Sequence, residues 1–286
     1  MKALILGGTG MLGAQCTWEG AVRLGSKECD IMHQEQVETS VEQHQPDVVV
    51  LLAAISVLAT CERTPDRAHR VNALGPAIVA LACRRFKVKL VYMSTTAVFP
   101  DTAEQGLNPW RANQEIRDLP PNVYGYTKLL GERLVLSQLP NALVVRPGWM
   151  IGGGNGVDQK FVPICYNALR SGKEYTGYTN HYGSPTYVPD MWDAIYNLIE
   201  QCEGGVVHIA NAGAPVSRYD VAHYVKEKAD LPGTLHKEAI RRDHNGYIAT
   251  ENQAIVSSVH LRPWQEAAEE YIETLRREYT NGAHLP

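Results

Sequence analysis

Lys2–Leu6 is a short apolar run that ends in Gly7-Gly8-Thr9-Gly10-Met11-Leu12-Gly13. A strand delivered straight into a glycine-rich turn and then a helix is the opening step of a dinucleotide-binding sheet. Gly7 permits the tight turn, Gly10 lets backbone approach a pyrophosphate, and Gly13 allows close helix–strand packing. The helix N-terminus then turns free N–H groups toward the phosphates. Thr9, Met11 and Leu12 complete the expected contact set. A glycine-rich turn can be purely structural; its place directly after the first strand favours the cofactor reading.

The segment after the glycine turn is compressed. About a dozen residues separate Gly13 from Gly25, so the first helix is short, near Met11–Trp18, and the second strand lies near Ala21–Leu24. An acid at that strand's end would take the adenosine ribose hydroxyls and disfavour a 2′-phosphate. Gly25, Ser26 and Lys27 stand there instead, with Arg23 just before. A missing acid beside cations and a hydroxyl favours NADPH, with NADH as the lesser cofactor.

Asp30-Ile31 is expected to end a short third strand, and Gln34–His44 is an amphipathic helix. Val48–Ala54 is a continuous β-branched and apolar run, typical of a buried parallel strand. Thr64-Pro65-Asp66 opens a helix that reaches Ala73, breaks around Gly75-Pro76 and resumes to Arg85. Leu90–Met93 and Ala142–Arg146 are further strands, separated by a polar loop, Pro100–Pro121, and a helix. This alternation predicts an α/β chain with a Rossmann-type, doubly wound parallel sheet over residues 1–148.

Residues 149–286 differ in texture and predict a smaller mixed C-terminal substrate-binding lobe, partly interleaved with the first core. Ile151–Gly156 is glycine-rich, Phe161–Arg170 is helical, and Gly183-Ser184-Pro185-Thr186 is a turn-rich loop before a helix over Asp190–Gln201. Val206–Ile209 adds a strand. Ser217 and Asp220 have capping-box spacing for a helix to Ala229, and Pro263–Tyr279 is an amphipathic helix.

Asn122–Glu132 reads NVYGYTKLLGE, with Tyr124 and Lys128 one helical turn apart. An ammonium at that distance favours the phenolate and lowers the phenol pKa, making Tyr124 a proton donor and acceptor near neutrality. An exposed helix face would carry the same pair.

Composition narrows the class. A chain of 286 residues can bury a full core, and a formal net charge of -4 with interspersed signs leaves no footprint for nucleic acid. Ala3–Leu6 is too short for a signal peptide, and Val48–Ile55 is far short of a membrane span, so a soluble, cytoplasmic protein is expected. The six cysteines form no C-x-x-C pair, and the ten histidines include no H-E-x-x-H. Free thiols and no metal are expected.

The glycine turn, Ser94-Thr95 at a strand's end and Tyr124-x-x-x-Lys128 fall in an order that resembles the extended short-chain dehydrogenase/reductase superfamily. Val71-Asn72-Ala73-Leu74-Gly75-Pro76, Cys61-Glu62 with Pro65, Arg146 with Trp149, Gly183–Val188 with Asp190, and Leu261–Tyr271 bring the resemblance closest to the dTDP-4-dehydrorhamnose reductases. That resemblance implies an oxidoreductase acting on a CH–OH group, reducing the 4-keto group of a nucleotide-linked 6-deoxysugar in dTDP-rhamnose biosynthesis. It implies that Tyr124 protonates the carbonyl oxygen, that Lys128 lowers the Tyr124 pKa and holds the nicotinamide ribose, and that Thr95 bonds the same oxygen. Asp30, Ile31, Ala54, Ile55, Ser56 and Met93 would line the cofactor, and Thr96 and Trp149 would face the sugar nucleotide.

The family's S-T-D-Y-V-F reads Ser94-Thr95-Thr96-Ala97-Val98-Phe99 here, which predicts a less polar, wider pocket. Acids that share a metal across a dimer are not evident, although the amphipathic helices suit a homodimer. Two other readings stand beside the reductase: a nucleotide-sugar epimerase or dehydratase, and a non-catalytic NADP-binding regulatory subunit.

Overall fold

The computed structural model describes residues 1–100, 107–153, 158, 160–239 and 252–280. In chain order, β1 (Ala3–Leu6) leads to α1 (Met11–Ala14), β2 (Val22–Leu24), α2 (Gln34–His44), β3 (Val48–Leu51), α3 (Leu58–Arg63) and α4 (Pro65–His69). A π turn, Arg70–Leu74, joins α4 to α5 (Gly75–Phe86), followed by β4 (Lys89–Met93), a 3-10 turn at Thr96–Val98 and α6 (Val123–Gln138). Then come β5 (Leu143–Pro147), β6 (Trp149–Ile151), α7 (Phe161–Arg170), β7 (Glu174–Tyr178), β8 (Tyr182–Gly183) and β9 (Pro185–Tyr187). The chain continues through α8 (Val188–Glu200), β10 (Gly205–Ile209), β11 (Val216–Ser217), α9 (Arg218–Ala229), β12 (Thr234–Glu238) and α10 (Trp264–Thr280). The polar loop and the glycine-rich stretch after Ile151 lie partly outside the described residues.

Two compact units result, the first built from Met1–Pro100, Asn113–Pro147 and Trp192–Val207, the second from the remainder. The central sheet has the order β10-β5-β4-β3-β1-β2, with β1, β2, β3, β4 and β5 paired in parallel. Leu4, Val49, Leu90 and Val144 pack with Val37 and Val41 of α2, Val79 and Cys83 of α5 and Val135 of α6. The alternating residues Ile5, Val50, Val91 and Val145 are equally buried, so both faces of the sheet are covered.

Three sequence expectations change here. Asp30-Ile31 forms no third strand: Glu28 and Cys29 both donate their N–H to Gly25 O, turning the chain away and leaving β2 at the edge. The first helix ends at Ala14 rather than near Trp18. The Arg23 guanidinium takes one carbonyl of the helix and one just past its end, through Nε to Gly13 O at 3.1 Å and through Nη2 to Cys16 O.

The helix expected to break at Gly75-Pro76 instead runs through them by way of the π turn. Pro76 has no N–H to give the Asn72 carbonyl, and the Tyr92 hydroxyl donates to that oxygen at 3.2 Å instead.

The second unit packs Ile151, Val162, Tyr166, Leu169, Tyr187, Val221, Trp264 and Tyr271 into one core. The loop expected at Gly183–Thr186 is two short strands. Trp149 N–H bonds Ser184 O at 2.7 Å, Gly148 N–H bonds Thr186 Oγ1 at 2.9 Å, and Thr186 bonds Ile209 O at 2.9 Å. The Ser217–Asp220 capping box forms as expected. No helix among the described residues is long and apolar enough to cross a membrane.

Trp192 anchors the glycine turn of the first unit. Its indole N–H donates to Leu12 O at 3.1 Å, and its ring meets Trp18 edge-on at 5.0 Å. Leu12 O keeps the Gln15 N–H at 3.2 Å, so Trp192→Phe is expected to cost about 1–2 kcal/mol in urea unfolding, the loss of one hydrogen bond and of ring packing, and to weaken dinucleotide binding in the same preparation.

Candidate active site

β1 lies between β2 and β3, so the strand order reverses beside it, and ligands of such sheets bind outside the carboxyl ends at that point. The glycine turn closes β1 there. Gly7 has φ +84°, and a Cβ on it would fall 2.5 Å from Ala53 N, so the turn passes against the chain leaving β3. At the exposed crest, a Cβ on Gly10 would meet only Gly7 O, at 3.4 Å. The space a side chain would fill is therefore open above the first N–H groups of α1. This cradle fits a dinucleotide pyrophosphate. With α1 only one turn long, those N–H groups rather than a macrodipole attract the anion. Gly13 is packed onto Gly8, where its Cβ would sit 2.4 Å from Cα, and Met11 and Leu12 are half-buried beside it.

At the end of β2 the chemistry differs from the expectation. Arg23 is committed to the carbonyls at the end of α1 and is not free for a phosphate. An acid is present after all: Glu28 folds back so that its Oε2 accepts the Gly25 N–H at 2.9 Å, close to Thr9. An acid expected at the strand's last residue is instead returned to it by the turn. The signal that could have found it is distance along the chain, since Glu28 lies at the fingerprint's usual separation of about 20 residues from the glycines. Ser26 and Lys27 are exposed. The Asp30 carboxylate accepts the Met32 N–H at 3.0 Å, and Ile31 is core, packed where a Cβ on Gly75 would sit.

Beyond β3, Ala54 and Ser56 are exposed and Ile55 is held between them. Asn72, wholly buried, accepts the Ile55 N–H at 2.8 Å, donates to Ile55 O at 3.0 Å and donates to Thr127 Oγ1 at 3.2 Å. It ties the cofactor-side loop to the residue preceding Lys128. The sequence marks Asn72 only through a family resemblance; the local signal for its role is its place one turn before Pro76.

Every residue from Val91 to Pro100 is buried except Thr95. Its Oγ1 accepts the Ala97 N–H at 3.1 Å, and its hydroxyl lies near enough to the Tyr124 phenol to favour the phenolate. The first turn of α6 is pressed against this segment, since a Cβ on Gly125 would lie 2.0 Å from Ala97 O. Asn122 caps that helix through the Gly125 N–H at 2.8 Å. Thr96 and Ala97 are buried.

Lys128 is 2% exposed; its ammonium donates to Met93 O at 2.7 Å and lies 4.2 Å from the centre of the Tyr92 ring. Burial brings the Lys128 pKa down to about 7, with the Glu132 carboxylate pulling the other way. Burial also pushes the Tyr124 phenol up to about 12, against the opposing hydrogen bond from Thr95. The expected lowering of the Tyr124 pKa by Lys128 is thus overturned in this structure. Desolvation is the largest cause of both shifts, and Lys128 is not among the groups that move the Tyr124 pKa.

Trp149, in the second unit, is 6% exposed. The Arg218 guanidinium lies over its ring at 3.8 Å, a Cβ on Gly183 would strike it at 2.2 Å, and its indole N–H donates to Gln253 at 2.9 Å.

A parallel sheet with a glycine turn at its switch point and a Tyr-x-x-x-Lys helix packed on its fourth strand defines an extended short-chain dehydrogenase/reductase. Known proteins agree with that class. The profile of the RmlD substrate binding domain family matches residues 1–277. A dTDP-4-dehydrorhamnose reductase of Mycolicibacterium smegmatis is 30% identical over 98% of this chain and 88% of its own length. One of Mycobacterium tuberculosis is 33% identical over 93% of this chain and 90% of its own. The crystal structure of a dTDP-4-dehydrorhamnose reductase from Clostridium acetobutylicum matches with a TM-score of 0.86 and 26% identity, covering 96% of this chain and 100% of that one. The chain belongs to the RmlD substrate binding domain family.

Lys128 gives a pH signature. Below about 7 the folded and unfolded chains both carry its charge, and the fold bears the full burial cost. Between about 7 and the ordinary 10.5 the folded chain has released the proton while the unfolded chain keeps it, so the cost lifts. Lys128→Met is expected to be more stable than the wild type below pH 7, with the gap closing as pH rises, in urea titrations at stepped pH. A gap that widens with pH would contradict the burial argument.

Proposed function

We propose that the chain reduces the 4-keto group of a nucleotide-linked 6-deoxysugar, as its dTDP-4-dehydrorhamnose reductase relatives are named to do, with NADPH preferred over NADH. The observation that carries this reading is the Thr95–Tyr124–Lys128 set. The Thr95 oxygen accepts the Ala97 N–H, which leaves the hydroxyl proton to donate beside the Tyr124 phenol.

A carbonyl oxygen admitted there receives both as donors. A bound nicotinamide dinucleotide would supply the hydride. As negative charge develops on the oxygen, Thr95 stabilises it and Tyr124 gives up its proton. A phenol raised to about 12 is fully protonated at neutral pH, which suits an acid for reduction. Lys128, in its charged form one turn along α6, stabilises the phenolate that remains. Gly7–Gly13 would cradle the pyrophosphate, and Ala54–Ser56, Met93 and Lys128 the nicotinamide half. Thr95 is the residue of its segment open to substrate, and Thr96 would shape the pocket from behind it.

Glu28 sets the limit of the NADPH preference. Its carboxylate stands at the end of β2, the position from which an acid takes ribose hydroxyls and repels a 2′-phosphate. Glu28→Gln is expected to raise the ratio of NADPH to NADH affinity by roughly tenfold, the effect of removing one like charge near the surface. An unchanged ratio by calorimetry removes Glu28 from the cofactor contacts.

Tyr124→Phe is expected to lose at least ~100-fold in kcat on a dTDP-4-keto-6-deoxysugar while binding NADPH as the wild type does. The assay is net NADPH oxidation, which an epimerase or a regulatory subunit does not produce. Wild-type turnover by this variant would remove Tyr124 from the chemistry.

A further inference from the structure

Arg218 opens α9, and its guanidinium lies in the corner where two aromatic rings of the second unit meet edge-on, 5.9 Å apart and at 74°. Its Cζ is 3.8 Å from the centre of the Trp149 ring and 3.9 Å from that of Phe161. Rings at that angle cannot cover both faces of a planar guanidinium; the two contacts are cation–π attractions, which hold the charge without giving its N–H donors an acceptor. Among the described residues none of those donors has a hydrogen-bond or ion-pair partner. The nearest helix terminus does not use them either, because Ser217 and Asp220 close it on each other: the Asp220 carboxylate accepts both the Ser217 N–H at 2.9 Å and its hydroxyl at 2.7 Å.

A second polar group is left over beside it. His181 meets the Trp149 ring edge-on at 5.1 Å, and its Nε2 is buried without a partner among the described residues. Burial and the Arg218 charge hold this imidazole neutral, its pKa brought down to about 3. Burial brings Arg218 itself down to about 9, so it remains a cation at neutral pH. A half-buried cation without an anion is costly to keep in a fold. The two rings hold it in place, Trp149 being held in turn by Gln253 and Gly183. A guanidinium held in place with its donors unpaired is suited to the oxygens of a phosphate.

We propose that Arg218, held against Trp149 and Phe161 with His181 nearby, is the residue that binds the diphosphate of the nucleotide-linked substrate. The assignment rests on the nucleotide-sugar reading above. It makes the second unit's contribution to substrate affinity a charge-assisted one, and it gives Trp149 the task of holding Arg218.

Calorimetric titration of the whole chain with dTDP, with thymidine and with NADPH tests it. Arg218→Gln is expected to weaken dTDP binding roughly 20-fold, the loss of one charge-assisted pair, while thymidine and NADPH bind as before. Arg218→Lys is expected to recover part of that loss, and the salt dependence of dTDP binding should flatten in the Gln variant only. Equal loss of dTDP and thymidine would mean that Arg218 only supports the fold, and unchanged dTDP affinity would remove it from the site; either overturns the proposal. The two readings fail separately. A chain that turns over a dTDP-linked keto-sugar with the same KM in Arg218→Gln keeps the reductase and loses the diphosphate site. A chain without turnover whose dTDP affinity depends on Arg218 keeps the site and loses the reductase.

Discussion

The buried ion pair of Glu132 and Arg146 is the interaction on which the active-site geometry depends. Arg146 of β5 reaches Glu132 of α6 through Nε at 2.9 Å and Nη2 at 2.6 Å, and the same carboxylate accepts the hydroxyl of Ser94 at the end of β4. One carboxylate therefore joins a helix to two adjacent strands. Tyr124, Lys128 and Glu132 follow at successive turns of α6, so fixing the third fixes how the first two meet Thr95, the neighbour of Ser94. Such a pair adds little net stability against a hydrophobic replacement, yet removing one partner costs about 3–5 kcal/mol because the other charge is stranded. The value of the pair here is in position.

Burial is also what sets the acid–base character of the site. The same packing that seats α6 on β4 takes Lys128 and Tyr124 out of water, and desolvation moves their pKa values toward the neutral forms. A protonated phenol is the form a carbonyl reduction consumes. A lysine brought near 7 is poised, so that a nearby anion decides its charge; Glu132 already acts in that direction. The spacing in the sequence announces a cation beside a phenol, but which effect dominates depends on how much water remains, and that is a property of the packed fold.

Asn72 has a related part in the cofactor half. Pro76 withholds an N–H, the helix widens into a π turn, and the freed Asn72 carbonyl is taken by Tyr92 while its side chain clamps Ile55. A residue that breaks a helix in isolation here shapes a loop, because the neighbouring strand supplies the donor that the helix has lost.

Much of the architecture was legible in the residues alone. The β-branched run after Val48, the amphipathic Gln34–His44 and the Ser217–Asp220 box carry their structure in local periodicity and capping, which need no distant partner. The glycine turn and the Tyr124–Lys128 spacing likewise announce a dinucleotide fold and its proton donor. Features set by residues far apart in the chain needed the tertiary structure. Arg23 ends α1 and so is not a phosphate ligand; Glu28 is brought back to Gly25 by a turn where a strand was expected; Trp149 is clasped between Arg218 and Gly183. The sequence by itself determined the class of fold and which side chains could do chemistry, since both follow from local pattern. Only the tertiary structure decided their protonation and their partners, since both depend on what is packed against them and how far water is excluded.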